Sequence, residues 1–387
     1  KWVCYSSIII AALAGYSRVY LAHHFLIDVF VGGLIGLVFG AISIIWFENK
    51  GVRIVKRFKD KLKLAKQAIL FFLVLLMFSC NKEDNSDLYT AISPVKMDLT
   101  QVPFVKLSDY NFFQGELKNQ EPVLGVIPYK PESELFTDYA EKKRFVWMPI
   151  GSKATYVNDF SILELPIGSA LIKSFYYNHV LPSNTTKIIE TRIMIRKANG
   201  WIYANYIWND EQTEAYLNLN GNTKQITWIA NNAVTRTINY DIPNELKCAG
   251  CHTISNEKRP IGIKPQNLNG NYNYTDGVSN QLAKWKSLGI LENNTPANIN
   301  AVVDYKDTSK PLETRVRSYF DANCAHCHQT GGYASFFNLK FGFNETSNLT
   351  SMGVCVSPNH IVPGMEGRIV KPGKLTQSLL YYIVTTN

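Results

Sequence analysis

"TRIMIRKANGWIYANYIWND" occupies residues 191–210, and its reading sets the fold expected for the middle of the chain. β-Branched, aromatic and polar residues alternate on both sides of Asn199-Gly200, a pair suited to the tight turn of a hairpin. "AYLNLNGNTKQITWI" (215–229) repeats the pattern around Asn220-Gly221. "FSILELPIGSALIKSFYY" (160–177) adds two candidate strands around Pro166 and Gly168. Residues 106–240 therefore read as an antiparallel β-rich domain, a sandwich or a small barrel. Trp147, Trp201, Tyr206 and Trp208 read as core, with a sugar or cofactor site as the alternative. His179 reads as an isolated surface histidine.

Downstream lie "CAGCH" (248–252) and "CAHCH" (324–328). With seven Cys and seven His in 387 residues, a chance C-x-x-C-H is expected about 0.002 times. Two copies therefore carry a chemical meaning. In this spacing two thiols can add to the vinyl groups on one edge of a haem, and the adjacent imidazole reaches the iron. Cys248, Cys251 and His252 read as holding one covalent c-type haem, and Cys324, Cys327 and His328 a second. His326, inside the second motif, is not read as a ligand. Met352, His360 and Met365 are the candidates for a distal ligand, and Cys355 reads as a thiol with no haem role.

Zinc on four cysteines and a redox dithiol are the alternatives. The 72 residues between the pairs exceed ordinary zinc-ribbon spacing, and zinc does not explain a His after each pair. "SNQLAKWKSLGIL", with Leu282, Trp285 and Leu288 apolar, reads as an amphipathic helix between the motifs. "ETRVRSYFDANCAHCH" reads as a helix running into the second motif, and "GKLTQSLLYYIV" as a last helix. Residues 241–387 are thus expected to form an α-helical, cytochrome c-like diheme domain, cut short at its C-terminus.

Residues 106–387 resemble a set of bacterial diheme c-type cytochromes with a β-rich N-terminal region. The stretches that carry the resemblance include "ELFTDYAEKKRFVWMPIG", "ETRIMIRKANGW", "YIWNDEQTEA", "IPNELKCAGCHT", "PIGIKPQNLN", "YFDANCAHCH" and "MGVCVSP". The resemblance implies electron transfer with unnamed redox partner proteins.

The front of the chain reads differently. Trp2–Tyr16 is almost wholly apolar, and Phe25–Phe47 is 23 residues with one charge, Asp28. Both approach the length of a transmembrane helix. Gly32, Gly36 and Gly40 suit close helix packing in a membrane. Between the runs, Ser17-Arg18, His24 and Asp28 are spaced S-R-x5-H-x3-D. His24 and Asp28, four apart, share a helix face, so the carboxylate can orient the imidazole for attack. Arg18 can clamp a phosphate with its planar fork.

Residues 1–47 resemble part of the type 2 phosphatidic acid phosphatase superfamily, which are membrane lipid phosphatases. The resemblance implies His24 as nucleophile, Asp28 as its partner, and Ser17 and Arg18 as phosphate binders. The family's upstream Lys/Arg motif and its Pro-Ser-Gly-His motif do not occur in this chain.

Residues 48–67 hold eight Lys/Arg against Glu48 and Asp60, a balance of +6 out of the chain's +9. A short basic block beside apolar runs reads as a cytoplasmic linker, not a nucleic-acid surface. "AILFFLVLLMFSC" (68–80) reads as a signal-peptide core and lipobox with Cys80 as the lipidated residue. "NKED" after it resembles a surface-export tag, and residues 81–105 read as a tether.

The expected architecture is multi-domain: transmembrane α-helices, then the antiparallel β-rich domain, then the α-helical diheme domain. Both chain ends read as cut, and the 1–67/68–387 join as a seam. The expected function is an extracytoplasmic, lipid-anchored diheme electron carrier, in the periplasm or on the outer-membrane surface, behind an incomplete phosphatase segment in the inner membrane. A phosphatidic acid phosphatase-type phosphomonoesterase and a diheme peroxidase-like enzyme are the alternatives. Membrane lipid and redox proteins are the expected partners, and nucleic acid is not.

Overall fold

The computed structural model describes residues 36, 92–359, 362 and 367–386. The transmembrane helices, basic linker and lipobox lie outside the described residues, as do Ser17, Arg18, His24, Asp28, Cys80, His360 and Met365. No helix among the described residues is long and apolar enough to cross a membrane. The chain divides into two units, Lys1–Leu88 and Tyr89–Asn387. All strands below belong to the second.

A short pair, β1 (Phe113–Gln114) and β2 (Glu121–Pro122), precedes one eight-stranded antiparallel sheet. Its strands are β3 (Val126–Pro128), β4 (Glu141–Trp147), β5 (Ala170–Val180), β6 (Thr185–Lys197), β7 (Gly200–Trp208), β8 (Ala215–Leu217), β9 (Asn222–Ile229) and β10 (Thr235–Ile242). β8, β7, β6 and β5 lie side by side, and the far edge of β5 is shared by β4 and β9. Register shifts after Phe175 and Tyr177 let β5 leave β4 and meet β9 at Val180 opposite Trp228. Such irregularities bend a strand and raise its twist.

Period-two alternation gives the sheet two different faces. Ile172, Ile193 and Ala204 are paired across β5, β6 and β7. With Phe145, Trp147, Tyr206 and Trp208 they form a core closed by Val102, Leu107, Tyr110 and Phe112 from the segment before the sheet. Tyr206 and Tyr110 join hydroxyls at 2.9 Å, and Trp208 donates to Thr191 Oγ1 at 3.0 Å. The opposite face carries Val146, Leu171, Met194, Trp201 and Tyr203, packed against Ile263, Leu268, Leu282, Trp285 and Leu291 from downstream.

The hairpin read at Asn199-Gly200 forms, closing through Ala198-Asn199 with Lys197 opposite Gly200. The one read at Asn220-Gly221 does not. Asn218 Oδ1 accepts from the backbone N–H of Asn220 and Gly221, turning the chain from β8 toward β9 on the other side of the sheet. Gly221 has φ +77°, and a Cβ there would meet Ile242 O at 2.8 Å. The hairpin joins β9 to β10 instead, with Ala230 N–H bonded to Val234 O at 2.9 Å. In 160–177 only the second half becomes a strand. Residues before Pro166 contribute a single bridge, Thr155 with Glu164.

The expected sandwich or barrel is corrected to a single branched sheet. Alternation marks each strand as two-sided but does not say whether a second sheet or irregular chain covers a face. Here segments with little strand cover both faces. The expected α-helical diheme domain is corrected too. Residues 241–387 form α1 (Glu245–His252), the hairpin β11 (Thr253–Ile254) with β12 (Glu257–Lys258), and α2 (Pro265–Leu268). The hairpin β13 (Asn271–Tyr274) with β14 (Gly277–Asn280), then α3 (Gln281–Ser287), α4 (Leu312–Asn323) and α5 (Leu379–Thr386) follow. The longest helix is 12 residues. Pro260, Pro265 and Asp276-Gly277 punctuate this stretch too often for longer helices, and residues 324–359 are mostly turns and loops.

α3 fastens the downstream segment to the sheet. Asn280 caps it by accepting from Ala283 N–H, Leu282 and Trp285 are buried, and Leu288 is 44% exposed. Trp285→Ala is expected to cost about 3–5 kcal/mol of unfolding free energy, against about 0.5 kcal/mol or less for Leu288→Ala. Urea titration of both variants checks this. Equal losses would contradict the assignment of Trp285 to the core.

Candidate functional site

The first motif is built into α1. Asn244 stops β10 and caps the helix, its side chain accepting from Lys247 N–H at 2.9 Å. Glu245 in the first turn matches the helix dipole. Cys248, Cys251 and His252 sit at i, i+3 and i+4, so one helix face presents both thiols and the imidazole.

The hairpin that follows orients His252. Ser255 and Asn256 both have positive φ, +50° and +66°, the backbone of a tight two-residue turn. It brings Arg259 back over the helix end, where Arg259 N–H donates to His252 O at 2.6 Å. Arg259 O in turn lies 2.8 Å from His252 Nδ1. A carbonyl can only accept, so Nδ1 carries the proton and Nε2 keeps a bare lone pair. Burial pushes the His252 imidazole down to about 4, with Lys173 adding repulsion, against the opposing pull of the Arg259 carbonyl. The Tyr203 ring lies 5.6 Å from the imidazole and carries Lys258 Nζ 4.7 Å above its own face.

Cys248, Cys251 and His252 line a cavity of about 890 Å³ on the downstream face of the sheet. The volume falls within the usual range of ligand pockets. Trp201, Tyr203, Met194 and Leu171 form its apolar wall, and Arg144, Lys173 and Arg192 a charged one. Trp201 is thus both packed and cavity-lining, whereas Trp147, Tyr206 and Trp208 belong to the core on the other face. His179 is exposed and bonded to Asn184 Oδ1.

The second motif continues α4. Cys324 N–H bonds Phe320 O, and His328 N–H bonds Cys324 O, both at 2.9 Å. Burial raises the Cys324 thiol to about 11. The His328 ring stands edge-on to Phe341 at 5.0 Å and near Phe337 at 6.0 Å. Its Nδ1 is buried without a hydrogen-bond partner. Met352 is buried in the same cluster as Ala325, Phe341 and Cys324. Cys355 is exposed.

The fold brings the two motifs together. Ligand atoms of Cys251, His326 and Cys327 all lie within 4.8 Å of one another, and Cys327 Sγ is 4.0 Å from Gly250 O. Ser255 N–H bonds Gly331 O at 2.9 Å. Gly331 has φ +74°, and a Cβ there would lie 2.3 Å from Ser255 Oγ. The adjacent Cys327 and His326 side chains lower the Cys251 thiol, and the proximity of Cys251 together with burial raises Cys327.

Sequence reading grouped each motif and set His326 aside. The structure puts His326 between the motifs, next to a thiol from each. The Arg259 carbonyl and Tyr203 were not singled out, since only the hairpin and the β6–β7 register bring them to His252. The signal for the charged wall was visible: Lys173 interrupts an apolar run.

The superfamily model described as PAP2 superfamily matches residues 1–51. No curated protein and no solved structure matches the chain.

Proposed function

We propose that the second unit is a diheme c-type electron carrier exported as a lipoprotein, and that Cys248, Cys251 and His252 hold one haem and Cys324, Cys327 and His328 the other. The observation that carries this reading is the state of His252. Its Nδ1–H is fixed by a backbone carbonyl, as in most metal-ligating histidines, and two unpaired thiols share its helix face above a cavity.

The first motif fits a haem well. Cys248 and Cys251 would supply two covalent tethers, His252 Nε2 would supply a donor to the iron, and Tyr203, Trp201 and Met194 line the apolar wall. A haem held this way would contribute a one-electron iron couple. The chain's own residues do the rest. Burial keeps the imidazole neutral, the Arg259 carbonyl fixes its tautomer and aims it, and Tyr203 covers one side of it. At the second motif the donors match, but His328 lacks an anchoring bond of the kind His252 has. Met352, in the same apolar cluster, is the described candidate for a distal donor there.

Cys251, His326 and Cys327 give the zinc alternative its structural form, three donors of types that zinc accepts. Cys248, Cys324 and both motif-ending histidines remain unexplained by it.

In the full chain made with haem-maturation machinery, Cys248→Ala/Cys251→Ala and Cys324→Ala/Cys327→Ala are each expected to lose one of two covalent haems, read by intact mass and by colour retained in a denaturing gel. Loss of both haems from either pair, or of none, would contradict two independent attachment sites. The bound iron is also expected to leave peroxide turnover at background, which separates a carrier from a peroxidase.

A second reading rests on the match at residues 1–51. With one of three phosphatase motifs present, the chain is expected to release no phosphate from phosphatidic acid vesicles. Release that disappears in His24→Ala would establish a phosphatase instead.

A further inference from the structure

Three cations stand side by side on the cavity wall. Arg144 on β4 pairs with Lys173 on β5, and Lys173 with Arg192 on β6. Residues directly opposite in register share a face, and like charges there repel. The row spans two strand spacings, about 10 Å. Arg144 is buried at 6% exposure, and all three residues line the cavity that holds Cys248, Cys251 and His252.

Their compensation is incomplete. Arg144 donates to Glu134 Oε2 at 3.3 Å from both terminal nitrogens. Arg192 bonds Glu190 at 2.5 Å, and Glu190 also accepts from Tyr240. Lys173 has no carboxylate partner among the described residues, and its ammonium lies 4.6 Å from the centre of the Phe175 ring. Arg192 Nε, a donor at the end of the row, is buried with no hydrogen-bond partner. Lys142, two residues before Arg144 on the same face, adds a further charge. The carboxylates paired with the row are Glu134, shared with Lys130, and Glu190. Burial lowers Lys173 well below the usual lysine range, with Arg144 and Arg192 adding to it.

A row of buried and half-buried like charges that is only partly compensated costs stability unless an anion completes it. We propose that Arg144, Lys173 and Arg192 form an anion site that takes a pair of carboxylates. One phosphate group could bridge only two neighbours in a row this long, whereas two linked carboxylates can engage both gaps. Two sources share this chemistry: the propionates of a haem on the first motif, which rests on the function proposed above, and a diffusible dicarboxylate, which does not.

The test uses the full chain, with and without haem maturation, as wild type, Lys173→Met, and Lys118→Met as a control away from the cavity. Lys118 pairs with Glu116 at the surface. Without haem, Lys173→Met is expected to raise Tm by at least about 2 °C, because it removes a buried, repelled charge. Succinate is expected to raise the wild-type Tm saturably and to leave Lys173→Met unmoved. With haem, Lys173→Met is expected to lower one reduction midpoint, since an unmatched carboxylate then favours the ferric state, while Lys118→Met changes nothing. A midpoint shift with no succinate effect in the haem-loaded chain assigns the site to propionates. A succinate response in a chain that carries no haem even after maturation keeps the site and removes the haem reading. A Lys173→Met variant with unchanged midpoint, unchanged Tm and no lost succinate response would overturn the proposal.

Discussion

The antiparallel register of β5 with β6 and β7 is the constraint on which the rest of this unit depends. It sets Ile172, Ile193 and Ala204 on one face and Lys173, Arg192 and Asn205 on the other. A slip of one residue would exchange the two sets. The first face is dry, closed by aromatic and aliphatic side chains of the segment before the sheet. The second is half apolar and half charged, and there the downstream segment leaves a cavity. The cysteine motifs do not build a domain of their own. They lie along chain that is laid over a sheet, and the sheet supplies the cavity wall.

Within that frame, short-range geometry prepares the first motif. A capped two-turn helix aligns two thiols and an imidazole, and a tight hairpin returns a carbonyl to fix the imidazole's tautomer. The same hairpin touches the loop after the second motif through Ser255 and Gly331, so the element that orients His252 also holds the two motifs together. This shared contact gives the proximity of Cys251, His326 and Cys327 a local cause, although 72 residues separate the two cysteine pairs in sequence.

Legibility followed the range of the interaction. The β6–β7 hairpin, α3 with Leu282 and Trp285, and α4 running into Cys324 are local patterns, and the residues state them directly. The hairpin placed at Asn220-Gly221 failed because Asn218 turns the chain across the sheet, a choice made by the β9–β10 pairing and not by the turn itself. The helical diheme domain failed because the motifs suggested a fold that the surrounding residues do not support. Pro260, Pro265 and Asp276-Gly277 already argued against long helices. The cationic row was partly visible as Lys173 within an apolar run. Its alignment with Arg144 and Arg192 depends on register between strands, which no single segment encodes.

The account stands on the claim that the paired cysteine motifs hold covalent haem and not zinc. Metal and haem content of the purified full chain tests it most directly, after maturation in cells that attach haem to exported proteins. The account predicts two irons and two covalent haems per chain, with zinc at background. One zinc per chain, no covalent haem, and loss of the zinc in His326→Ala would contradict it and assign Cys251, His326 and Cys327 to a zinc site.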